Sequence, residues 1–423
     1  SFAERHGVRS LQSSFTRLKA RFVITAEGPP LRDAVVVIEG SRIAAVESHR
    51  SADPVAIDLG NAAILPGLIN AHTHLEFSNL AAPLGRPGIP FTDWIRLVVA
   101  HRRNRSDADR QEAIAAGLEE CSRSGTTCIG EISTDGSAAS GPRADLIVFL
   151  EILGLKSDRI EAGIAAAREH VARSQPAHRS AGISPHAPYS VRPELLEGLA
   201  EISASDGVPL AMHIGESREE MELLASGGGP MREMLIDFNA WSPDVFATPR
   251  RPLDHLKVLA AADRALVIHG NYLADDEIAF IAARRSKIAV VYCPRTHAYF
   301  GHSPYPLAKM LESGAVVALG TDSRASNPDL NLLAEMREAF VRHSIDPARI
   351  VEMGTINGAI ALGRDHETGS IAPGKRADLA IVRLTATTGD DPYELLFDPK
   401  SFVETTIYGG DRRSQRAATV RER

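Results

Sequence analysis

At 423 residues the chain is too long for one small core, and it suits a large α/β barrel with an attachment, or two to three domains. Its net charge of −7, with dispersed Lys and Arg, argues against a nucleic-acid partner, and no apolar run approaches the roughly 18 residues of a membrane span. Cys121, Cys128 and Cys293 make neither a disulfide framework nor a Cys-rich zinc module, and no signal-type apolar region opens the chain, so a cytoplasmic protein is expected.

Residues 1–16 are polar and weakly patterned, as in a tail or a surface helix. From Lys19 the pattern becomes β-type. Arg21–Thr25, Ala34–Ile38 and Ile43–Val46 are short apolar runs punctuated by Gly40-Ser41-Arg42, which predicts a small antiparallel unit ending near Pro66. The same pattern returns at Ala377–Val382 and Phe402–Tyr408. The two chain ends are therefore expected to build one β-sandwich domain, 17–65 with 372–423, beside a catalytic domain, 66–371.

Between them lie eight apolar β runs: Gly67–His72, Thr126–Glu131, Asp145–Glu151, Gly182–His186, Pro209–His213, Ala265–His269, Lys287–Cys293 and Ala315–Asp322. The intervening stretches, such as Asp109–Ser122, Pro193–Ser205 and Asn331–His343, space their apolar residues by three and four, as amphipathic helices do. Eight strands alternating with helices predict a (β/α)8 barrel, a TIM barrel.

Seven of the eight runs end in a residue able to bind metal or move protons: His72/His74, Glu131, Glu151, His186, His213, His269 and Asp322. Barrel sites sit at the carboxyl ends of strands, where an unpartnered charge is costly, so these groups are expected to converge. His72 and His74, spaced i, i+2 on a strand, point to one face. With His213 and Asp322 they offer three nitrogens and one oxygen, which suits a divalent ion of borderline softness, zinc or iron. Such an ion lowers the pKa of a water molecule toward neutrality.

Glu216 follows His213 by three residues, and Gly215 permits a close turn that aims it inward. It is the expected proton carrier, with Glu219 and Glu220 taken as solvated loop residues. His269 is either a ligand or a group that holds the nucleophile or substrate. His186 is expected at the substrate, Glu131 and Glu151 either there or as structural partners, and Arg102, Arg103 and Arg105 as a solvated helix face. Ser217–Arg250, with Gly227-Gly228-Gly229-Pro230, reads as a mobile cover.

Together, His72-x-His74, His213 with Glu216, His269, Gly320-Thr321-Asp322 and the Gly369–Asp378 tail resemble the amidohydrolase superfamily, over about Phe22 to Tyr408. The His-x-x-Glu motif resembles the branch holding cytosine, guanine and S-adenosylhomocysteine deaminases and triazine chlorohydrolases. The resemblance implies one metal held by His72, His74, His213 and Asp322, a proton shuttle at Glu216, and a water-orienting His269. Two-metal members carry a carboxylated lysine closing strand four; here Ser184-Pro185-His186 stands there, so one ion is expected. His74-Leu75-Glu76, Pro90–Trp94, Cys293–His297 and Asp322–Asn327 are similar to aminofutalosine deaminases.

The expected activity is hydrolytic removal of ammonia from an aminated purine nucleoside, aminofutalosine- or adenosine-like. A cyclic-amide hydrolase or dechlorinase on the same metal, and a non-catalytic barrel binding protein, are the alternatives. Glu76, Trp94, His186, Arg295 and His297 are the expected substrate contacts, Trp94 by stacking and Arg295 by its planar fork on a carboxylate, with pairing of Arg295 to a loop Asp or Glu as the other reading. The expected partner is a small molecule, and a homodimer is left open.

Overall fold

The computed structural model describes residues 15–48, 57–137, 144–173, 179–385 and 387–414. The expected tail thus lies outside the described residues, apart from Phe15 and Thr16, which open the first strand. In chain order the strands are β1 (Phe15–Val23), β2 (Leu31–Glu39), β3 (Arg42–Ser48), β4 (Ile57–Asp58), β5 (Ala62–Pro66), β6 (Leu68–Thr73), β7 (Thr126–Ser133) and β8 (Asp145–Ile152). They continue as β9 (Arg179–Pro185), β10 (Pro209–Ile214), β11 (Arg264–His269), β12 (Ile288–Tyr292), β13 (Val316–Leu319), β14 (Leu379–Arg383), β15 (Phe402–Tyr408) and β16 (Asp411–Ser414).

Strands from both chain ends share one mixed sheet in the order β16-β15-β14-β5-β1-β2-β3, with β4 beside β1. The junction is β14 against β5, antiparallel from Leu379↔Pro66 to Arg383↔Ala62. Two-residue periodicity decides what each face covers. Ala62, Ile64, Leu379 and Ile381 fill the sheet's own core, whereas Ala63, Leu65, Ala380 and Val382 join the core under the barrel helices.

β6 to β13 form the parallel barrel sheet in sequence order. All eight runs expected from the sequence are strands. Inside, Ile69, Ala71, Phe149, Ala211, Leu266, Ile268 and Val291 make the barrel core; Leu68, Met212, Val267 and Val290 alternate outward to the helices. The ring closes where Thr73 bridges Asp322 and the backbone N–H groups of Thr321 and Asp322 both donate to the His72 carbonyl at 3.1 Å. Gly320 permits this closure, since a Cβ there would stand 2.8 Å from that same carbonyl oxygen. Among the described residues no helix is long and apolar enough to cross a membrane.

Ser217–Arg250, expected as a mobile cover, is helical over Arg218–Ser226 and Pro230–Asp237. Two of its three glycines are caps: Gly227 ends the first helix in the left-handed region (φ +66) and Gly229 (φ +84) opens the second. Leu223, Leu224, Met231, Met234 and Leu235 pack with Phe91, Tyr189 and Phe300. The segment is a packed wall over the carboxyl ends of the strands.

Candidate active site

Four strands and one closure deliver the central cluster. The His72 ring lies 4.9 Å, centroid to centroid, from both His74 and His213, and 5.7 Å from His269. Asp322 Oδ1 stands 3.6 Å from His72 Nε2 and 3.8 Å from His74 Nε2. Ligating atoms of His72, His74 and Asp322, and of His72, His213 and His269, fall within 4.8 Å of one another.

Strand periodicity alone would not produce this arrangement. Ile268 points into the barrel, so a regular strand would send His269 outward. The φ of His269 (+68) breaks the alternation, and Asp322 likewise takes φ +53. A left-handed conformation at a non-glycine residue costs free energy, and here it falls on two groups of the cluster. Tyr305 Oη donates to the His269 carbonyl at 2.8 Å, and Ser326 Oγ donates to Asp322 Oδ2 at 2.9 Å, which fixes both.

The donor set suits a cation. Both ring nitrogens of His72, and Nδ1 of His74, are buried without a hydrogen-bond partner among the described residues. His213 Nδ1 lies 2.9 Å from the His186 carbonyl, which fixes its ring and leaves Nε2 to face the cluster. Burial pushes His74 and His269 down to about 3 and His213 well below the usual range, so these three imidazoles are neutral, as metal ligation requires. Burial alone would raise Asp322, but its contacts with His72, His269 and His74 hold it well below the usual carboxylate range. The site can hold a metal ion.

Glu216 is buried at 3.3 Å from His269 Nε2, and burial first, then Asp322 and Glu220, push its carboxyl well up. A proton carrier needs such a shift. The turn that aims it belongs to Glu220, whose carboxylate accepts from Gly215 N at 2.9 Å and Glu216 N at 2.8 Å while its own N–H donates to Ser217 Oγ. Glu220 is therefore not a solvated loop residue but fully buried. The signal was in the sequence: Ser217-x-x-Glu220 has capping-box spacing. Burial raises Glu220 from 4.5 to about 7. A raised carboxyl stabilises the fold below its unfolded pKa and loses that contribution as pH rises through its folded pKa. Glu220→Gln should thus reduce the stability lost between pH 4.5 and 7, by up to about 3 kcal/mol, in denaturant midpoints measured across that window.

Above the cluster opens a cavity of about 650 Å³, walled by Phe77, Phe91, Trp94, Val98, Tyr189, Met234, Leu235 and Phe238, with His186, Glu151 and Arg102 among its polar lining. Trp94 and His186 stand where substrate contacts were expected; the Trp94 indole N–H donates to the Ala325 carbonyl at 2.9 Å. Glu76 reaches the cavity only through Arg102, whose Nη2 donates to it at 2.7 Å. Glu131 turns away and accepts from Leu75 N at 2.9 Å, shaping the loop after β6.

Arg295 and His297 are corrected. Neither lines the cavity. Arg295 pairs with Asp329 and with the fully buried Glu335, each at 2.7 Å, and His297 Nε2 lies 2.9 Å from the Ser303 carbonyl. The helix Pro294–Phe300 begins directly after β12 and turns both side chains into the barrel wall. Arg295→Met should lower stability by about 3–5 kcal/mol, because Glu335 would stay buried without its cation, and no selective rise in KM should accompany it. Thermal unfolding beside steady-state kinetics checks this.

Arg102 was the residue missed. It lies on the helix Phe91–Arg103 at i+4 from Val98 and i+8 from Trp94, on the face that lines the cavity. An arginine within an apolar stripe was the available signal.

A closed eight-stranded barrel with a histidine–aspartate cluster at the carboxyl ends of its strands defines a barrel hydrolase with a metal-competent site. The chain belongs to the amidohydrolase family, whose model matches residues 63–412. It is 30% identical over 384 residues to a 5-methylthioadenosine/S-adenosylhomocysteine deaminase of Moorella thermoacetica, covering 85% of this chain and 83% of that one. To an aminodeoxyfutalosine deaminase of Deinococcus radiodurans it is 31% identical over 351 residues, with coverage of 78% and 81%. An adenosine deaminase from Xanthomonas campestris with bound zinc shares the fold at TM-score 0.76 and 23% identity, over 94% of this chain and 92% of that one.

Proposed function

We propose that this chain is a metal-dependent hydrolytic deaminase of an aminated purine nucleoside. One observation carries the reading: a histidine–aspartate cluster with a raised, buried Glu216 beside it forms the floor of an apolar cavity of nucleoside size. His72, His74, His213 and Asp322 would hold one divalent ion, and three nitrogens with one oxygen favour zinc. Strand four closes with Ser184-Pro185, which supports a single ion. The bound ion would supply Lewis acidity and a water of lowered pKa.

The chain's own residues do the rest. Glu216 takes one proton from the attacking water and passes it to the ring nitrogen next to the aminated carbon; it then takes the remaining proton from the hydroxyl of the tetrahedral adduct and passes it to the amino group, which leaves as ammonia. His269, 3.3 Å from Glu216, holds the attacking water in line. Trp94 and Phe91, with ring centroids 5.8 Å apart, shape the apolar side of the cavity and exclude water. Arg103, Lys156 and Arg159 line its outer part and replace Arg295 as the cations available to an anionic extension.

The test is ammonia release by zinc-replete protein from adenosine, 5-methylthioadenosine, S-adenosylhomocysteine and aminodeoxyfutalosine. Turnover of at least one is expected. Inactivity on all four would defeat the reading.

A further inference from the structure

Glu151 ends β8 on the cavity wall, and its two carboxylate oxygens have different fates. Oε2 accepts from Arg102 Nη1 at 3.3 Å. Oε1 is buried without a hydrogen-bond partner among the described residues, although the side chain is only 4% exposed. Arg102 cannot swing to it freely, because its Nε and Nη2 both donate to Glu76 Oε1, at 3.1 and 2.7 Å. Burial would raise Glu151, but Arg102, then His186 and His74, hold it down to about 2, so Oε1 is an acceptor only. A buried anionic acceptor without a donor is costly unless something supplies one.

His186 Nε2 is the next polar atom, 3.9 Å from Glu151 Oε1 and also on the cavity wall. The other ring nitrogen of His186 is 2.7 Å from Ser190 Oγ, which fixes the ring plane. Two polar atoms at this separation, one strictly an acceptor and the other an acceptor or donor by tautomer, match two adjacent hydroxyl groups. One hydroxyl donates to Glu151; the other donates to His186 or accepts from it. Arg103, Lys156, Asp158, Arg159 and Asn239 also line the cavity, but Glu151 Oε1 is a buried carboxylate oxygen there that still lacks a donor.

The geometry points to Glu151 Oε1 and His186 Nε2 as the subsite for the cis-diol of a ribose, making Glu151 the determinant that selects ribonucleosides over deoxynucleosides. This rests on the nucleoside-deaminase reading. The subsite lies beside the metal-competent cluster, with the rings of His186 and His213 only 5.0 Å apart, so the sugar would sit next to the reacting base. The carboxylate acts by binding, and no proton is moved.

The experiment compares zinc-replete wild type and Glu151→Gln on adenosine, 2′-deoxyadenosine and 3′-deoxyadenosine, or on the matching set built from whichever nucleoside proves best. Wild type is expected to lose about 10- to 100-fold in kcat/KM for a missing hydroxyl, as when a charged acceptor is left unpaired. Glu151→Gln should raise KM for the ribonucleoside and bring the two classes within a few-fold of each other. Equal wild-type activity on ribo- and deoxynucleosides overturns the subsite while deaminase function stands. A variant that loses activity equally on both, with the wild-type preference intact, assigns Glu151 to structure and overturns it as well. No turnover of any nucleoside removes the deaminase reading and this inference with it.

Discussion

Exchange of Glu216 for Gln is expected to lower ammonia release by about 10²–10⁴-fold while metal content stays at the wild-type level. Gln keeps the size of Glu and one acceptor oxygen, and the turn that positions residue 216 is held by Glu220 and by the Asn271 side chain on the 216 carbonyl, at 2.8 Å, neither of which depends on the 216 side chain. What the amide cannot do is accept a proton from water and return it to the base. Glu216 suits that cycle because burial and the neighbouring Asp322 push its carboxyl well above the usual range, so proton gain and loss are closer in free energy near neutral pH than for an exposed glutamate. The expected change is in kcat, with KM moved less. Metal analysis and steady-state rates of the same preparation check it. Wild-type turnover in the variant would move the shuttle to His269, the nearest remaining base.

The second large effect is expected at Asp322. Asp322→Asn should lower metal affinity by more than the roughly 10–100-fold typical when only an outer partner of a metal site is lost. Activity should fall with metal content and recover in part with excess zinc. Asn is the informative exchange because it tolerates the left-handed conformation that residue 322 adopts at φ +53, so the backbone closure with β6 is preserved. The lost charge lies 3.6 and 3.8 Å from the Nε2 atoms of His72 and His74, and among the described residues no other carboxylate pairs with both rings. Full metal content and activity in the variant would exclude Asp322 as a ligand.

The barrel was legible because each strand is a short apolar run and each connection has helical periodicity, two signals that local sequence carries by itself. His72, His74, His213, Glu216, His269 and Asp322 were legible for a related reason. A polar group at the end of a buried strand conflicts with its surroundings unless it has a task, and that conflict is visible in one dimension. Arg295 satisfied the same rule and misled. It too follows a strand, but Glu335 and Asp329 arrive from 40 and 34 residues further along and neutralise it. Glu220 and Arg102 failed in the opposite sense, resembling solvated charges until packing buried one and turned the other onto the cavity.

The division follows the range of the forces. Sequence alone determined the strand and helix periods, the order of the polar strand ends and the chemistry of their side chains, because those depend on neighbours within a turn or a strand. The tertiary structure decided which charges face the cavity and which face each other. It bent His269 and Asp322 out of strand alternation by closing the ring, and it made Gly227 and Gly229 the caps of helices in Ser217–Arg250 that pack as a wall. Each of those outcomes rests on a partner distant in sequence, and a single chain read residue by residue does not say which distant partner comes within hydrogen-bonding distance.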